Sequence, residues 1–263
     1  LPRPEADDEV AELAETLSGM LVALDSARGE TEAALERQRE FVADASHELR
    51  TPLTSVLANL ELLEEVLEGE PREAAASALR SSRRMRRLVA DLLLLARADS
   101  GRVARHEPLD VSRIVTEAAG ELQPVAGDHG VRVDAAPGAV VDGARDELHR
   151  LVLNLMENAL RHTDPGTPVE ASVAVQDGQV VIAVEDDGPG VPPELADKVF
   201  ERFFRGASDR GGSSGLGLAI VRAVAESHAG TVALEPPLDG RGARFVVRLP
   251  RYERAGAAVG APA

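Results

Sequence analysis

Four stretches of the chain carry residue types at spacings suited to group-transfer chemistry. The first is Ser46-His47-Glu48-Leu49-Arg50-Thr51-Pro52. A neutral imidazole, with a reference pKa of about 6.5, is a competent nitrogen nucleophile near neutrality. Glu48 adjoins His47 and could take the proton from the second ring nitrogen, fixing the tautomer and making the attacking nitrogen more basic. Thr51 follows one helical turn later on the same face, where its hydroxyl could hold a water for the reverse, hydrolytic reaction. Pro52 removes a backbone donor and frees the Glu48 carbonyl, so a helix here should bend just past the histidine. Considered alone, a His-Glu pair is more often an ordinary surface pair. The apolar seam that surrounds it, interrupted by proline, favours the chemical reading.

The second stretch contains Asn154 and Asn158, one helical turn apart, followed by Arg161 and His162. Two neutral amides can ligate magnesium and phosphate oxygens without adding charge beside a polyanion. Arg161 could reach a phosphate. Two solvated asparagines are the competing reading, but Asn has poor helix propensity and needs a reason to stand inside a helix. The third stretch is Glu185-Asp186-Asp187-Gly188-Pro189-Gly190. Period-two alternation places Asp186 on the face of Ile182 and Val184, so its carboxylate could accept a hydrogen bond from an adenine amino group. Gly188 and Gly190 would let the backbone approach the base. Taken by itself, this stretch is more commonly a plain Asp-Gly turn. The fourth is Gly211-Gly212-Ser213-Ser214-Gly215-Leu216-Gly217-Leu218, which feeds a nearly all-apolar helix. Backbone N–H groups at such a helix N-terminus suit phosphate. The spacing matches neither a P-loop nor a Rossmann fingerprint. Arg202, Phe203, Phe204 and Arg205 lie upstream, in a segment rich enough in glycine and serine to act as a lid. Phe203 and Phe204 could equally be core residues.

The elements that position these groups fall into two kinds. Val42, Ala45, Leu49, Leu53, Val56, Leu60, Leu63 and Leu67 recur at steps of three and four, a bundle stripe. His47 is rotated about 200° from Ala45 and Leu49 and so points away from it. Glu68-Gly69-Glu70-Pro71 reads as a turn, and a second helix is expected from about Arg72 to Ala98 with Ala78, Met85, Leu88, Leu92 and Leu95 on one side. One antiparallel hairpin buries little, so a dimeric four-helix bundle is expected. Beyond Ser100-Gly101 the character changes. Strands are expected at 108–110, 131–134, 169–175, 180–184, 231–234 and 243–249, with helices at 111–125, 146–161 and after Gly215, and a tight hairpin at Asp177-Gly178. Helices on one antiparallel-rich sheet make an α+β sandwich.

Composition narrows the function. The net charge of −16 argues against nucleic acid as the main partner. Arg80, Arg83, Arg84, Arg86 and Arg87 form one basic cluster, which could dock an acidic protein or simply be a solvated helix face. Cysteine is absent, which excludes disulfides and thiolate chemistry and suits a reducing compartment. Aromatics make up only 2%, so the cores must be built from Leu, Val and Ala. No uncharged apolar run approaches the roughly 18 residues of a membrane span. The chain opens on Leu1, not Met, so it is expected to be a piece of a longer protein.

The segment Phe41-Val42-Ala43-Asp44-Ala45-Ser46-His47-Glu48-Leu49-Arg50-Thr51-Pro52-Leu53 closely resembles the phosphoacceptor box of HisKA-type histidine kinases. The resemblance implies that His47 is phosphorylated, that Glu48 is the base and that Thr51 serves phosphatase activity. The helix from Asp7 to Ser26 is similar to the second helix of a HAMP signal-relay module. The later stretches resemble, in order, the N, G1, F and G2 boxes of the Bergerat ATP-binding fold of histidine kinases, Hsp90-type chaperones and gyrases. By that resemblance the cofactors are ATP and Mg2+. Asn158 is the main magnesium ligand with Asn154 beside it, and Asp186 contacts adenine. Gly188 and Gly190 shape the pocket, and Gly215 and Gly217 hold phosphates. Leu216 and Leu218 belong to the same glycine box. Arg161-His162 stands where Lys-Tyr is common, and Ala243 where Thr is frequent.

The expected organisation is multidomain, α and α+β. A partial HAMP helix occupies 1–28 and a dimerisation and phosphotransfer hairpin 29–100. A linker spans 101–107, an α/β-sandwich ATP-binding domain 108–250 and a tail 251–263. The implied activity is ATP-dependent autophosphorylation of His47 and transfer to an aspartate of a response regulator receiver domain, with phosphatase activity toward that regulator. The implied protein is a homodimer, a cytoplasmic fragment tied to the inner or plasma membrane only through missing upstream segments. Two alternatives use the same fold: a phosphatase-dominant or inactive signalling protein, and a Bergerat ATPase acting mechanically.

Overall fold

The structure, a computed structural model, describes residues 16–21, 25–26, 29, 48–49, 51–99, 105–124, 126–127, 130–206, 214–238 and 240–253. His47, Arg50 and the glycines at 211 and 212 lie outside the described residues, as does most of the segment expected to be HAMP-like; within that segment, residues 16–21 and 25–26 are helical.

Residues 51–66 form helix α1, and only Leu67 and Glu68 leave the helical state before α2 (Gly69–Asp99). The reversal is tighter than the expected turn. Gly69 takes a φ of +61°, open to glycine without a Cβ penalty, and Pro71 sits in the first turn of α2, where a missing N–H costs no helix bond. The Arg83–Glu61 ion pair at 2.9 Å and the bond from Arg72 Nε to the Glu64 carbonyl at 3.2 Å tie the two helices. Leu57, Ala75 and Leu79 are buried, whereas Leu49, Val56, Leu63, Met85 and Leu92 of the predicted stripe are exposed. A lone hairpin buries only the face between its helices, so much of the stripe is left for another surface.

The second unit begins with β1 (Glu107–Asp110), which pairs antiparallel with β3 (Val140–Gly143). Strand β3 was not expected from the sequence: four residues are too few to establish an alternation. Between them come α3 (Val111–Leu122) and β2 (Val131–Ala135). Helix α3 is capped by Asp110, whose Oδ1 accepts the Ser112 N–H at 3.0 Å, and ends three residues before the expected Val125. Helix α4 (Arg145–His162), β4 (Val169–Gln176), β5 (Gln179–Asp186), α5 (Gly217–Ser227), β6 (Thr231–Glu235) and β7 (Ala243–Pro250) complete it. The five-stranded sheet has the order β2-β4-β5-β7-β6, with β2–β4 parallel and the other pairs antiparallel. Asp177 (φ +49°) and Gly178 (φ +73°) make the expected tight β4–β5 hairpin.

Helices α3, α4 and α5 bury their apolar stripes against the inner sheet face. Leu148, Leu151, Val152, Leu155, Met156 and Ala159 of α4 meet Val180, Ile182 and Val184 of β5 and Phe245 of β7 in one core. Phe200 packs edge-on against Phe245 at 6.0 Å, and the Arg222 guanidinium lies 4.8 Å over the Phe200 ring.

His228, at the C-terminal end of α5, joins the ribbon to this core. Its Nε2 accepts the Ala144 N–H at 3.0 Å, which supplies an acceptor for a backbone donor at the start of α4, where no side chain of the N-cap residue caps the helix. Its Nδ1 lies 2.8 Å from the Val224 carbonyl, so the neutral Nδ1–H tautomer satisfies both contacts. Gly143 leaves room for the ring, since a Cβ there would stand 2.8 Å from its carbon. His106 stacks on the other side at 4.5 Å. Burial pushes the His228 pKa down, outweighing the Val224 contact. A histidine depressed in the folded state binds fewer protons than in the unfolded chain, so its contribution to stability is lost as pH falls from about 6.5 through the lower folded value. Thermal unfolding across that window should show a midpoint that declines with acidification, and His228→Gln should lessen the decline.

Candidate functional site

A cavity of about 410 Å³ opens between α4, the start of α5, the end of β5, the segment around the short 3-10 turns Pro193–Leu195 and Lys198–Phe200, and one side of α2. It is bordered by Asn154, Asn158, Arg161, His162, Asp186, Gly190, Phe204, Arg205, Gly215, Gly217 and Leu218, so most of the expected site residues converge on one space. Gly188, Phe203 and Leu216 do not border it. Leu216 is buried in the core, and Phe203 is 64% exposed, so neither aromatic of the Phe203-Phe204 pair is a buried core residue. Glu48 and Thr51 are exposed on the hairpin.

Helix α4 sets the polar wall. Asn154 is only 6% exposed, and its Nδ2 finds no hydrogen-bond partner among the described residues. Leaving such an amide unpaired costs about 1–3 kcal/mol. The solvated reading of this asparagine is therefore excluded, and the side chain is placed for a partner not present in the protein. Glycine at 217 brings the first turn of α5 close, since a Cβ there would stand 3.3 Å from Asn154 Oδ1. No side chain caps the start of α5, whose backbone donors and positive dipole end therefore remain at the cavity edge.

Asp186 sets the opposite end. It is 5% exposed and shares the core-facing side of β5 with Ile182 and Val184. Its Oδ1 accepts the Gly188 N–H at 2.9 Å and, more weakly, the Ala243 N–H at 3.4 Å, while Oδ2 accepts none among the described residues. Burial raises its pKa more than those two bonds lower it. The backbone packs tightly around it. A Cβ on Gly242 (φ +85°) would overlap the Asp186 carbonyl, and one on Gly190 (φ +74°) would stand 2.8 Å from the Gly242 carbonyl. These are close approaches that only glycine permits.

The segment from Phe203 to Gly215 is closed at its base. Phe203 (φ +61°) donates its N–H to the Gly215 carbonyl at 2.8 Å, and a Cβ on Gly215 (φ +68°) would stand 2.8 Å from the Phe203 backbone. This tie was not readable from the sequence, because nothing local marks a backbone bond between residues so far apart. The α2 side of the cavity was also missed. Arg84, Arg87, Leu88 and Asp91 border it, and Arg150 of α4 forks onto Asp91. The basic cluster is evident in the sequence, but which of its members turn inward is not.

The donor set fits Mg2+ held jointly with phosphate oxygens. Asn154 and Asn158 offer neutral amide oxygens, and no group of three or more His, Cys, Asp or Glu among the described residues could cage an ion by itself. No described helix is long and apolar enough to cross a membrane.

Comparison with known proteins agrees with this geometry. Residues 37–101 match the model of the His Kinase A (phospho-acceptor) domain, and residues 143–253 match the histidine kinase-, DNA gyrase B- and HSP90-like ATPase. The chain is 42% identical over 262 residues to the probable sensor histidine kinase TcrY of Mycobacterium tuberculosis, covering 95% of this chain and 54% of that protein. It therefore spans about half the length of that curated relative. A structure of the mycobacterial sensor histidine kinase MprB is 32% identical with a TM-score of 0.51, covering 57% of this chain and 99% of the other. Full-length ShkA in complex with AMPPNP is 30% identical with a TM-score of 0.66, covering 82% of this chain and 47% of the other. By sequence, fold and the ordered placement of its boxes, the chain belongs to the sensor histidine kinase family, with a phosphoacceptor hairpin followed by a GHKL-type ATPase domain.

Proposed function

We propose that this chain is the catalytic part of an ATP-dependent protein histidine kinase that phosphorylates its own His47 and passes the phosphoryl group to an aspartate of a response regulator receiver domain. The observation that carries this reading is the buried Asn154 amide, without a partner among the described residues, facing a glycine-bounded cavity that ends at Asp186, in a chain that also carries the Ser46–Pro52 box.

Asp186 Oδ2 accepts the adenine amino group, and the glycine-built backbone around it admits the flat base. The triphosphate runs along α4 toward the first turn of α5, where Gly215 and Gly217 present backbone donors. Arg161, His162 and Arg205 add positive charge around it, and Phe204 closes the side. Mg2+, when bound through Asn158 and Asn154, would neutralise phosphate charge as a Lewis acid. The imidazole nitrogen of His47 attacks the γ-phosphorus. A nitrogen–phosphorus bond forms, the bond to the β,γ-bridging oxygen breaks, and ADP leaves. Glu48 takes the proton from the other ring nitrogen. Positioning and charge neutralisation provide most of the acceleration. An aspartate carboxylate of the receiver domain then attacks the same phosphorus, the nitrogen–phosphorus bond breaks, and Glu48 returns the proton to the ring, restoring neutral His47. Thr51 orients water for hydrolysis of the regulator's acyl phosphate.

The domain limits proposed above, with hairpin 29–100 and ATP-binding domain 108–250, accommodate this cycle. The exposed Leu49, Val56, Leu63, Met85 and Leu92 support a homodimeric four-helix bundle. A HAMP-type helix at 1–28 and attachment to a membrane through upstream segments complete the proposal.

Incubation with γ-labelled ATP and magnesium should give acid-labile label. His47→Gln and Asn158→Ala should each abolish it, and acid-stable label would point instead to Ser or Thr. Asp186→Asn should weaken ATP binding about ten- to a hundredfold, the worth of a hydrogen bond to a charged acceptor. Because burial raises the Asp186 pKa, wild-type binding should weaken on acidification from above the usual carboxylate range. Calorimetric titration at several pH values should show that dependence lessened in Asp186→Asn.

A further inference from the structure

One charged residue of the hairpin is withdrawn from water. Asp91 of α2 is 6% exposed, in a helix whose other acidic and basic side chains are mostly on the surface. Its carboxylate receives Arg150 of α4 in a fork, with Nη2 at 2.8 Å from Oδ1 and 3.0 Å from Oδ2, and Nε at 3.1 Å from Oδ1. Paired guanidinium–carboxylate bonds of this kind fix orientation as well as distance. Arg150 lies one helical turn before Asn154, so the fork seats α2 against the phosphate end of the cavity and away from Asp186. Two further contacts fix the seat. Leu88 packs against the main core, and α2 packs on α5, whose first residue, Gly217, borders the same end.

This seat turns two arginines of the basic cluster toward the cavity. Arg87 lies 3.9 Å from Glu157, a half-exposed and loose pair. Arg84 also borders the cavity and has no anionic partner among the described residues. Arg83 behaves differently, since it is paired with Glu61 on the hairpin. A chain of net charge −16 gains from placing cations where a polyanion must enter. Arg150 does not fill that role in this arrangement, because its charge is matched by Asp91.

We infer that Arg84 of α2 is a phosphate-binding residue of the nucleotide site, brought there by the Asp91–Arg150 fork, so that the hairpin completes the phosphate end of a pocket whose remainder belongs to the ATPase domain. The inference deepens the nucleotide reading above and rests on it. Its consequence is that a triphosphate favours the docked hairpin more than a diphosphate does, since the terminal phosphate extends toward α2. The coupling is reciprocal: whatever undocks α2 loosens ATP more than ADP.

The test measures magnesium-dependent binding of AMPPNP and of ADP to the full chain and to four variants. Arg84→Gln should weaken AMPPNP roughly five- to tenfold while changing ADP about twofold or less, as for loss of one charge-assisted phosphate contact. Asp91→Asn should do the same through undocking. In the double variant the two losses should not add, because Arg84 no longer faces the cavity once the fork is broken. Arg83→Gln should leave both nucleotides unchanged. Tighter AMPPNP binding in Asp91→Asn would mean that the freed Arg150 is the better phosphate ligand and would overturn the inference. Equal losses for both nucleotides in Arg84→Gln, or additive losses in the double variant, would also overturn it, since a merely structural role predicts them. If the wild-type chain binds neither nucleotide, the nucleotide reading itself fails. If it binds both and Arg84→Gln keeps the wild-type ratio, only the role of Arg84 fails.

Discussion

Helix α4 must satisfy two environments at once, and the rest of the domain is arranged around that requirement. One stripe, from Leu148 through Leu155 to Ala159, is sealed against the sheet. A neighbouring stripe carries Arg150, Asn154, Asn158 and Arg161 to the cavity. On a helix these two stripes are separated by little more than the width of one side chain. The polar stripe therefore cannot be fully solvated, and Asn154 becomes buried with its amide nitrogen unpaired among the described residues. The buried apolar surface offsets that cost many times over, since each fully buried Leu or Val contributes about 1.5–3 kcal/mol. The domain can thus hold a polar group ready for a ligand without losing its fold.

The opposite wall follows a different rule. At Asp186 the constraint is backbone crowding, not side-chain packing. The end of β5, the turn after it and the start of β7 meet so closely that Gly190 and Gly242 leave no room for a Cβ. Two backbone donors converge on one carboxylate oxygen and hold it still. A rigid acceptor of this kind does not have to be ordered when a ligand binds. Phe203 and Gly215 are held together in a similar way, by the backbone bond between them.

The hairpin and the ATPase domain meet through ion pairs that include Arg87–Glu157 and the more deeply buried Asp91–Arg150 fork. Such an ion pair fixes geometry more than it adds stability, because desolvation consumes most of the Coulombic gain. A contact of that kind holds one arrangement in register yet can be exchanged for another at modest cost. That property suits the cycle proposed above, in which the ATPase domain first receives a nucleotide and then meets His47.

Much of this was legible in the sequence because it depends on local rules. Step-three-and-four spacing marked the helices, alternation marked β4 and β5 and placed Asp186 on the inner face, and Asp177-Gly178 marked their hairpin. The box around His47, the Asn154–Asn158 pair and the two glycine runs identified the family from residue types alone. Four-residue β3 was missed because a run so short has no measurable period, and the buried Leu57 and Leu79 were missed because they lie off the more regular stripe of the hairpin, which is only partly buried. The convergence of Asp91 on Arg150, of His228 on Ala144 and of Gly242 on Asp186 joins residues 59, 84 and 56 positions apart. Residue order by itself determined which chemistry the chain carries and which segments are helix or strand, since those follow from interactions within a few residues. Only the tertiary structure decided which arginines turn toward the cavity, which asparagine loses its water and which face of the hairpin stays open, because each depends on what packing brings from far along the chain.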